Sequence, residues 1–225
     1  MDQKQIKRNL HYFTKTDTAM FVGIGLLVAG VLLFFLGYGY ISYVLASVLA
    51  PVGIVLLLVG ASKRVTDADI DACVGRLTDG MAVDIVENPK FGKRMLKQIS
   101  PLFIQAYVLE PDLYLKRAAS GSIRSEKYTA SIVYALEDEL YIVTRTVSLL
   151  ADESEQQVLE ISYADISGLS VEHGEQMLTV GKKTQRVSVS HLCVKGETEL
   201  MLPMQSTADV DDFIARTHRY IAENK

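Results

Sequence analysis

Lys90, Lys93, Arg94 and Lys97 stand at i, i+3, i+4 and i+7, so on a helix they share one face. Phe91, Met95 and Ile99 fall on the adjacent face. A basic amphipathic segment of this kind can lie on anionic headgroups, each charge adding about 1 kcal/mol near the surface. The same spacing also describes the solvated face of a helix packed on its own domain. These four residues are the candidate lipid contacts.

Other reactive side chains are scattered. His191 and Cys193 are two apart and share a strand face with Val187 and Val189. Two ligands can begin a metal site, but no third or fourth partner stands at ligand spacing, so packing is expected and no metal. Cys73 and Cys193 fit no C-x-x-C pattern, which favours free thiols in a reducing compartment. His11, His173 and His218 are isolated. No G-x-S-x-G, H-E-x-x-H or phosphate-loop pattern occurs, so neither a cofactor nor an enzyme is expected. "GIGLLVAG", residues 23–30, has the glycines of a nucleotide loop but follows no strand. The acidic run Glu137-Asp138-Glu139 reads as a turn that discourages edge-to-edge pairing. Tyr134 and Tyr141 flank it as cross-strand partners. Lys182, Lys183 and Arg186 form a second small basic cluster on a turn. A net charge of −4 argues against a general nucleic-acid binder, and no nucleic-acid partner is expected.

The elements that must carry these residues are segregated by polarity. No Asp, Glu, Lys, Arg or His lies between Asp17 and Lys63. A bilayer core about 30 Å thick needs roughly 20 apolar helical residues, so the run accommodates two spans. The first is expected at Met20–Leu36 and the second at Tyr43–Gly60, broken by Gly37 and Gly39, with Tyr38, Tyr40 and Tyr43 at the interface. A signal peptide is the poorer reading, because the run is long, lacks an A-x-A site and leads directly into more apolar sequence. Lys4, Lys7, Arg8 and Lys15 precede the run, and Lys63 and Arg64 follow it. The positive-inside rule then places both termini in the cytoplasm, in a multi-pass protein of the cell membrane whose first partner is the lipid bilayer. Gly25 and Ala29, and Ser42, Ala46 and Ala50, repeat at four-residue spacing, as helix-packing positions do in membranes. They serve packing within one hairpin or between copies in a homo-oligomer. Pro51 is expected to kink the second span. Neither span holds an ionisable residue, which suits an anchor better than a transporter.

After the hairpin, Thr66-Asp67-Ala68-Asp69 has the form of a capping box. Ile70, Val74, Leu77, Met81 and Ile85 continue at helical spacing as far as Asn88-Pro89. A second helix is expected over Phe91–Ile99, ending before Pro101. Beyond Phe103 the period becomes that of strands. "FIQAYVLE", "LYLKR", "KYTASIVYAL", "LYIVTRTVSL", "QVLEISYADI", "GLSVEH", "MLTVG", "RVSVSHLCV" and "TELMLPM" are candidate strands. Turns are expected at 137–139, 173–175, 181–183 and 195–197, with a polar loop at Ala118–Ser122. Such a meander is expected to close into a barrel or sandwich. A final helix follows, capped by Ser206 or Thr207, with Val210, Phe213, Ile214, Thr217, Tyr220 and Ile221 as its packed stripe.

Strands closed by one amphipathic helix, with "LEDELYIVTRTVSLL" (136–150) and "EISYADISGLSVE" (160–172), resemble the bacterial branch of the pleckstrin-homology-like superfamily. The resemblance covers roughly residues 123–223, and a short transmembrane hairpin joined to such a domain is a known arrangement. It departs at the acidic turn 137–139, where lipid-binding relatives carry basic residues, and in having no tryptophan. No headgroup site is therefore transferred. The resemblance implies an α+β chain. Its parts are a cytoplasmic segment (1–17), a transmembrane helical hairpin (18–62), a helical connector (63–102) and a PH-like β domain with a C-terminal helix (103–225). The function expected is a membrane-anchored, non-enzymatic adaptor that binds an unidentified protein or its own copies. The alternatives are anionic-lipid sensing through the basic connector and an accessory role in a transporter or channel.

Overall fold

The structure is a computed structural model that describes residues 1–14, 18–37, 39–62, 65–79, 81, 94–181, 183–197, 199–205 and 209–224. The chain separates into two compact units. One is Lys7–Asp69, and the other joins Met1–Ile6 to Ile70–Lys225. The described residues form five helices and three antiparallel sheets, none closed, so the chain is α+β.

α1 (Gln3–Thr14) begins in the second unit and ends in the first, which also holds α2 (Thr18–Leu36) and α3 (Tyr40–Ser62). The uncharged sequence makes α2 and α3 apolar on every side. The two helices approach through glycine. A Cβ added at Gly53 would sit 2.6 Å from Leu27 N, and one at Gly23 would sit 2.8 Å from Leu57 N. Gly30 faces Ala50 and Gly60 faces Met20 in the same way. Positions seven apart stay on one helix face, so Gly23 and Gly30 line the face α2 turns to α3, and Gly53 and Gly60 the face α3 turns to α2, with Gly23 and Gly53 in direct contact. The large side chains point outward, with Phe35 77%, Ile41 75% and Leu58 61% exposed. The stretch Tyr40–Ala61 is long and apolar enough to cross a membrane, and only 11% of it is buried. The apolar run of α2, Met20–Leu36, is shorter. α1 is an element the sequence reading did not expect.

α4 (Asp67–Thr78) begins with the expected capping box. Thr66 N donates to Asp69 Oδ2 at 2.8 Å, and Asp69 N donates back to Thr66 Oγ1 at 3.2 Å. The backbone bond from Thr66 holds the Asp69 carboxyl below its ordinary pKa. The helix is shorter than its apolar spacing suggested and stops at Thr78. Met81 is buried outside the helix, and residues 82–93 lie outside the described residues.

The second unit is mostly sheet. Its strands are β1 (Leu102–Tyr107), β2 (Leu115–Arg117), β3 (Ile123–Ser125), β4 (Lys127–Ala135), β5 (Glu139–Ser148), β6 (Ser154–Ser162), β7 (Gly168–Val180), β8 (Lys183–Lys195) and β9 (Leu200–Met204). They assemble as β1-β4-β5-β6, β2-β3 and β7-β8-β9. The two larger sheets share one core. Leu102, Ile104, Val133, Leu140 and Ile142 come from one, and Leu169, Leu192, Val194, Leu202 and Met204 from the other. Helix α5 (Asp209–Asn224) adds Val210 and Phe213 to that core, as its stripe predicts. Gln205 N donates to Gln105 O at 3.1 Å and links the sheets at one edge. β6 and β7 do not pair, so no barrel closes. Facing layers bury the apolar residues without closure.

Two other expectations are corrected. The turn at His173-Gly174-Glu175 does not form, and β7 runs through it. Gly174 pairs with Val189, and continuous pairing with β8 overrides the local turn chemistry. The β7–β8 reversal falls at Gly181, within the turn expected at 181–183, and its φ of 65° suits glycine. The expected helix Phe91–Ile99 is not helical over its described residues, Arg94–Ile99. Met95 bridges Leu136, Leu96 N donates to Ala135 O at 3.1 Å, and Glu137 N donates to Arg94 O at 3.0 Å. The segment runs against the end of β4, and this pairing outweighs its helical spacing.

Candidate functional site

A cleft of about 510 Å³ lies in the second unit. Its floor is the outer half of β8. β9 pairs only with Ser190–Val194, so among the described strands Lys183–Val189 of β8 is bonded to β7 alone. One wall is the chain leaving β1, from Tyr107 to Glu110, and another is the β2–β3 turn. That turn is held over the floor by a small cluster of Leu113, Leu115 and Leu178, with Ile123 and Val187 against it.

Three polar arrangements line the cleft. Arg117 donates to Gly121 O at 3.3 Å and to Gln185 Oε1, both neutral acceptors. Its charge therefore has no carboxylate partner among the described residues. Arg186 pairs with Glu175 at 3.2 Å on the surface. Ser190 Oγ and His173 Nδ1 are hydrogen-bonded at 2.8 Å. A serine beside a histidine is the start of a nucleophile–base pair. A working one also needs an acid to orient the ring and donors for an oxyanion. Among the described residues no acid bonds to the other nitrogen of His173.

Cys193 sits on the outer face of β8 beside Glu172 and Glu199, their ligand atoms within 4.8 Å of one another. The sequence reading paired this cysteine with His191 and did not foresee the two carboxylates. Glu172 comes from β7, a strand away in sequence, and Glu199 from the nearby approach to β9. The Lys195 ammonium lies 2.6 Å from Glu172 and balances the charge. Burial pushes the Cys193 thiol up, away from the thiolate a metal requires.

A different constellation fixes the connector. Arg124 on β3 grips Asp71 on α4 with two bonds, Nε to Oδ1 at 3.2 Å and Nη2 to Oδ2 at 2.8 Å. Tyr107 OH donates to Asp71 Oδ1 at 3.3 Å and packs edge-on against Tyr128 at 4.9 Å. Burial pushes the Tyr107 hydroxyl well above its ordinary value and the Tyr128 hydroxyl up to about 12. Nothing in "SIRSEKY" marks Arg124 as buried, since the partner that permits it lies 53 residues away.

Of the candidate lipid contacts, Lys90 and Lys93 lie outside the described residues. Arg94 bonds Asp138 at 2.6 Å and Glu139 at 3.0 Å. Chiefly the Asp138 bond holds the guanidinium pKa above its ordinary value. The acidic turn thus has a local cation, and Arg94 is not presented with Lys97 on one helix face. Lys97 is exposed. Of the packing residues, Ala46 is buried and Ala50 meets Gly30. Ser42 faces Gly37, where an added Cβ would lie 2.5 Å from Ser42 Cβ. Gly25 has nothing within 4 Å, and Ala29 is half-buried. Within this hairpin Gly23 and Gly30 line the contact with α3 and Gly25 does not.

No family model matches the chain, and no curated protein or solved structure matches it either.

Proposed function

We propose that the chain is a membrane-anchored adaptor. α2 and α3 form a hairpin across the cell membrane, with both termini cytoplasmic, and the β domain receives a protein partner. The observation that carries this reading is the surface of the hairpin. Small residues meet inside and large apolar ones face out, with 11% of Tyr40–Ala61 buried. A core helix of a water-soluble protein is buried, whereas a lipid-facing helix need not be. The cleft supports the receiving role. An unpaired strand edge in a groove can accept an extended peptide as a further strand.

The PH-like reading draws support from the strand count. Four strands in one sheet, three in the other and one closing helix match the superfamily's plan, with β2–β3 inserted between the first two strands of the larger sheet. On that count the turn at 137–139 joins the second and third strands of the sheet. Its acidity therefore does not bear on the connection between the first two strands of that sheet. Lipid sensing through the connector has less support, because Arg94 is held by two carboxylates.

The adaptor reading is tested by placing a photo-crosslinking amino acid at Ser188, on the cleft floor, in intact cells. A discrete adduct with a second protein is expected. Absence of any adduct from a membrane-localised, folded chain overturns the receiving role.

A further inference from the structure

We infer that β6 pairs with β6 of a second copy of this chain, in antiparallel fashion about a two-fold axis at Val158. The inference rests on neither the cleft nor the membrane hairpin.

β6 is the outer strand of the larger sheet. It pairs with β5 without a bulge from Val147↔Ser154 to Glu139↔Ser162. Among the described residues no strand pairs with its other side. All its residues are exposed except Ile161, which is half-buried. Val158 and Leu159 point to opposite faces of the sheet, 46% and 38% exposed. An edge of this length is a ready template for pairing, and proteins blunt such edges with charged side chains, lysine above all, with proline or with bulges. "SEQQVLEIS" contains neither lysine nor proline. It carries two carboxylates, Glu155 and Glu160, and their positions select the occupant.

In a pairing centred on Val158, Ser154 faces Ser162 and Glu155 faces Ile161. Gln156 faces Glu160, Gln157 faces Leu159, and Val158 faces its own copy. No carboxylate stands opposite another, and the whole strand is used. Each Glu160 meets a Gln156 amide, twice per interface. That amide is already oriented for the task. Its Oε1 accepts from Arg145 Nη2 at 2.9 Å and from Nε at 3.3 Å. Its nitrogen is left with two donors and no partner among the described residues. Arg145, Gln156 and the Glu160 carboxylate of the partner copy then form one charge-assisted chain across the axis. A closed two-fold pairing also removes both edges at once and leaves no open end for further copies.

The test uses the full-length chain in detergent micelles. Val158→Cys is oxidised with copper phenanthroline. Directly opposed residues in an antiparallel pair lie about 4.5–5.5 Å apart at Cα, within the reach of a disulfide. A covalent dimer is expected. Glu155→Cys should not crosslink, because its copies stand about 20 Å apart along the strands. Sedimentation then reads the charge logic. Gln156→Glu opposes carboxylates twice per interface and should raise the dimer dissociation constant about tenfold. Adding Glu160→Lys to that variant should restore it. A monomeric chain overturns the inference. So does a dimer that does not crosslink at position 158, or one that is indifferent to Gln156→Glu. Either of the last two results places the contact elsewhere, and all three leave the adaptor reading standing.

Discussion

The hairpin and the β domain bury opposite things. In the domain the large apolar side chains are inside, with Leu140, Ile142 and Leu192 at 0% exposure. In the hairpin the small residues are inside, and Phe35, Ile41 and Leu58 face out. Water drives the first arrangement, because removing each large side chain from it stabilises by about 1.5–3 kcal/mol. No such force sorts side chains between helices in a lipid-like medium. There close backbone approach decides, and glycine permits it. On the proposed reading, one chain follows two solvents' rules, the hairpin those of lipid and the domain those of water.

Substitutions that treat both halves alike break this comparison first. Leu192→Ala should cost about 2–5 kcal/mol of domain stability, measured by denaturant unfolding, through lost burial and a cavity. Leu58→Ala on the hairpin should leave that transition unchanged. Next in size is Val48→Arg on the outward face of α3. In a bilayer it should cost about 2.5–3.5 kcal/mol of insertion and reduce the membrane-inserted fraction, whereas on a water-facing surface it would change stability by about 0.5 kcal/mol or less.

Glycine position sharpens the contrast. Gly53→Val, whose Cβ would meet Leu27 N at 2.6 Å, should cost about 1–3 kcal/mol of hairpin packing. Gly25→Val, with nothing within 4 Å, should be nearly silent. Thermal unfolding of the helical signal in detergent separates them.

The smallest effect concerns alkaline pH. Burial raises the hydroxyls of Tyr107, Tyr128 and Tyr163 above the ordinary value of 10.0, with Tyr128 at about 12. A raised tyrosine keeps its proton in the folded domain after the unfolded chain has lost it. That stability is fully present below pH 10 and is lost as pH rises through the folded values. The denaturation midpoint of the domain should therefore fall steadily from pH 10 toward pH 12.

Much of this was legible where the signal is local. The α2 and α3 runs follow from composition, the Thr66–Asp69 cap from a four-residue pattern, and α5 from one stripe. Most strand positions follow from alternation. What escaped depends on partners far away in sequence. Arg124 is buried because Asp71 meets it, and Arg94 leaves its expected face because Asp138 and Glu139 hold it. β7 ignores a turn sequence because thirteen residues of β8 lie beside it. The Cys193 cluster and the Ser190–His173 bond are likewise products of strand register, which single-strand patterns do not reveal.

The central claim is that the hairpin is built for lipid and the domain for water. Membranes from cells expressing the full chain should be washed with alkaline carbonate and then treated with protease from the cytoplasmic face. The account predicts that the protein stays in the membrane pellet and that the β domain is digested, leaving a protected fragment spanning Thr18–Ser62. Release of the intact chain into the wash would contradict it, and so would a β domain protected from the cytoplasmic protease.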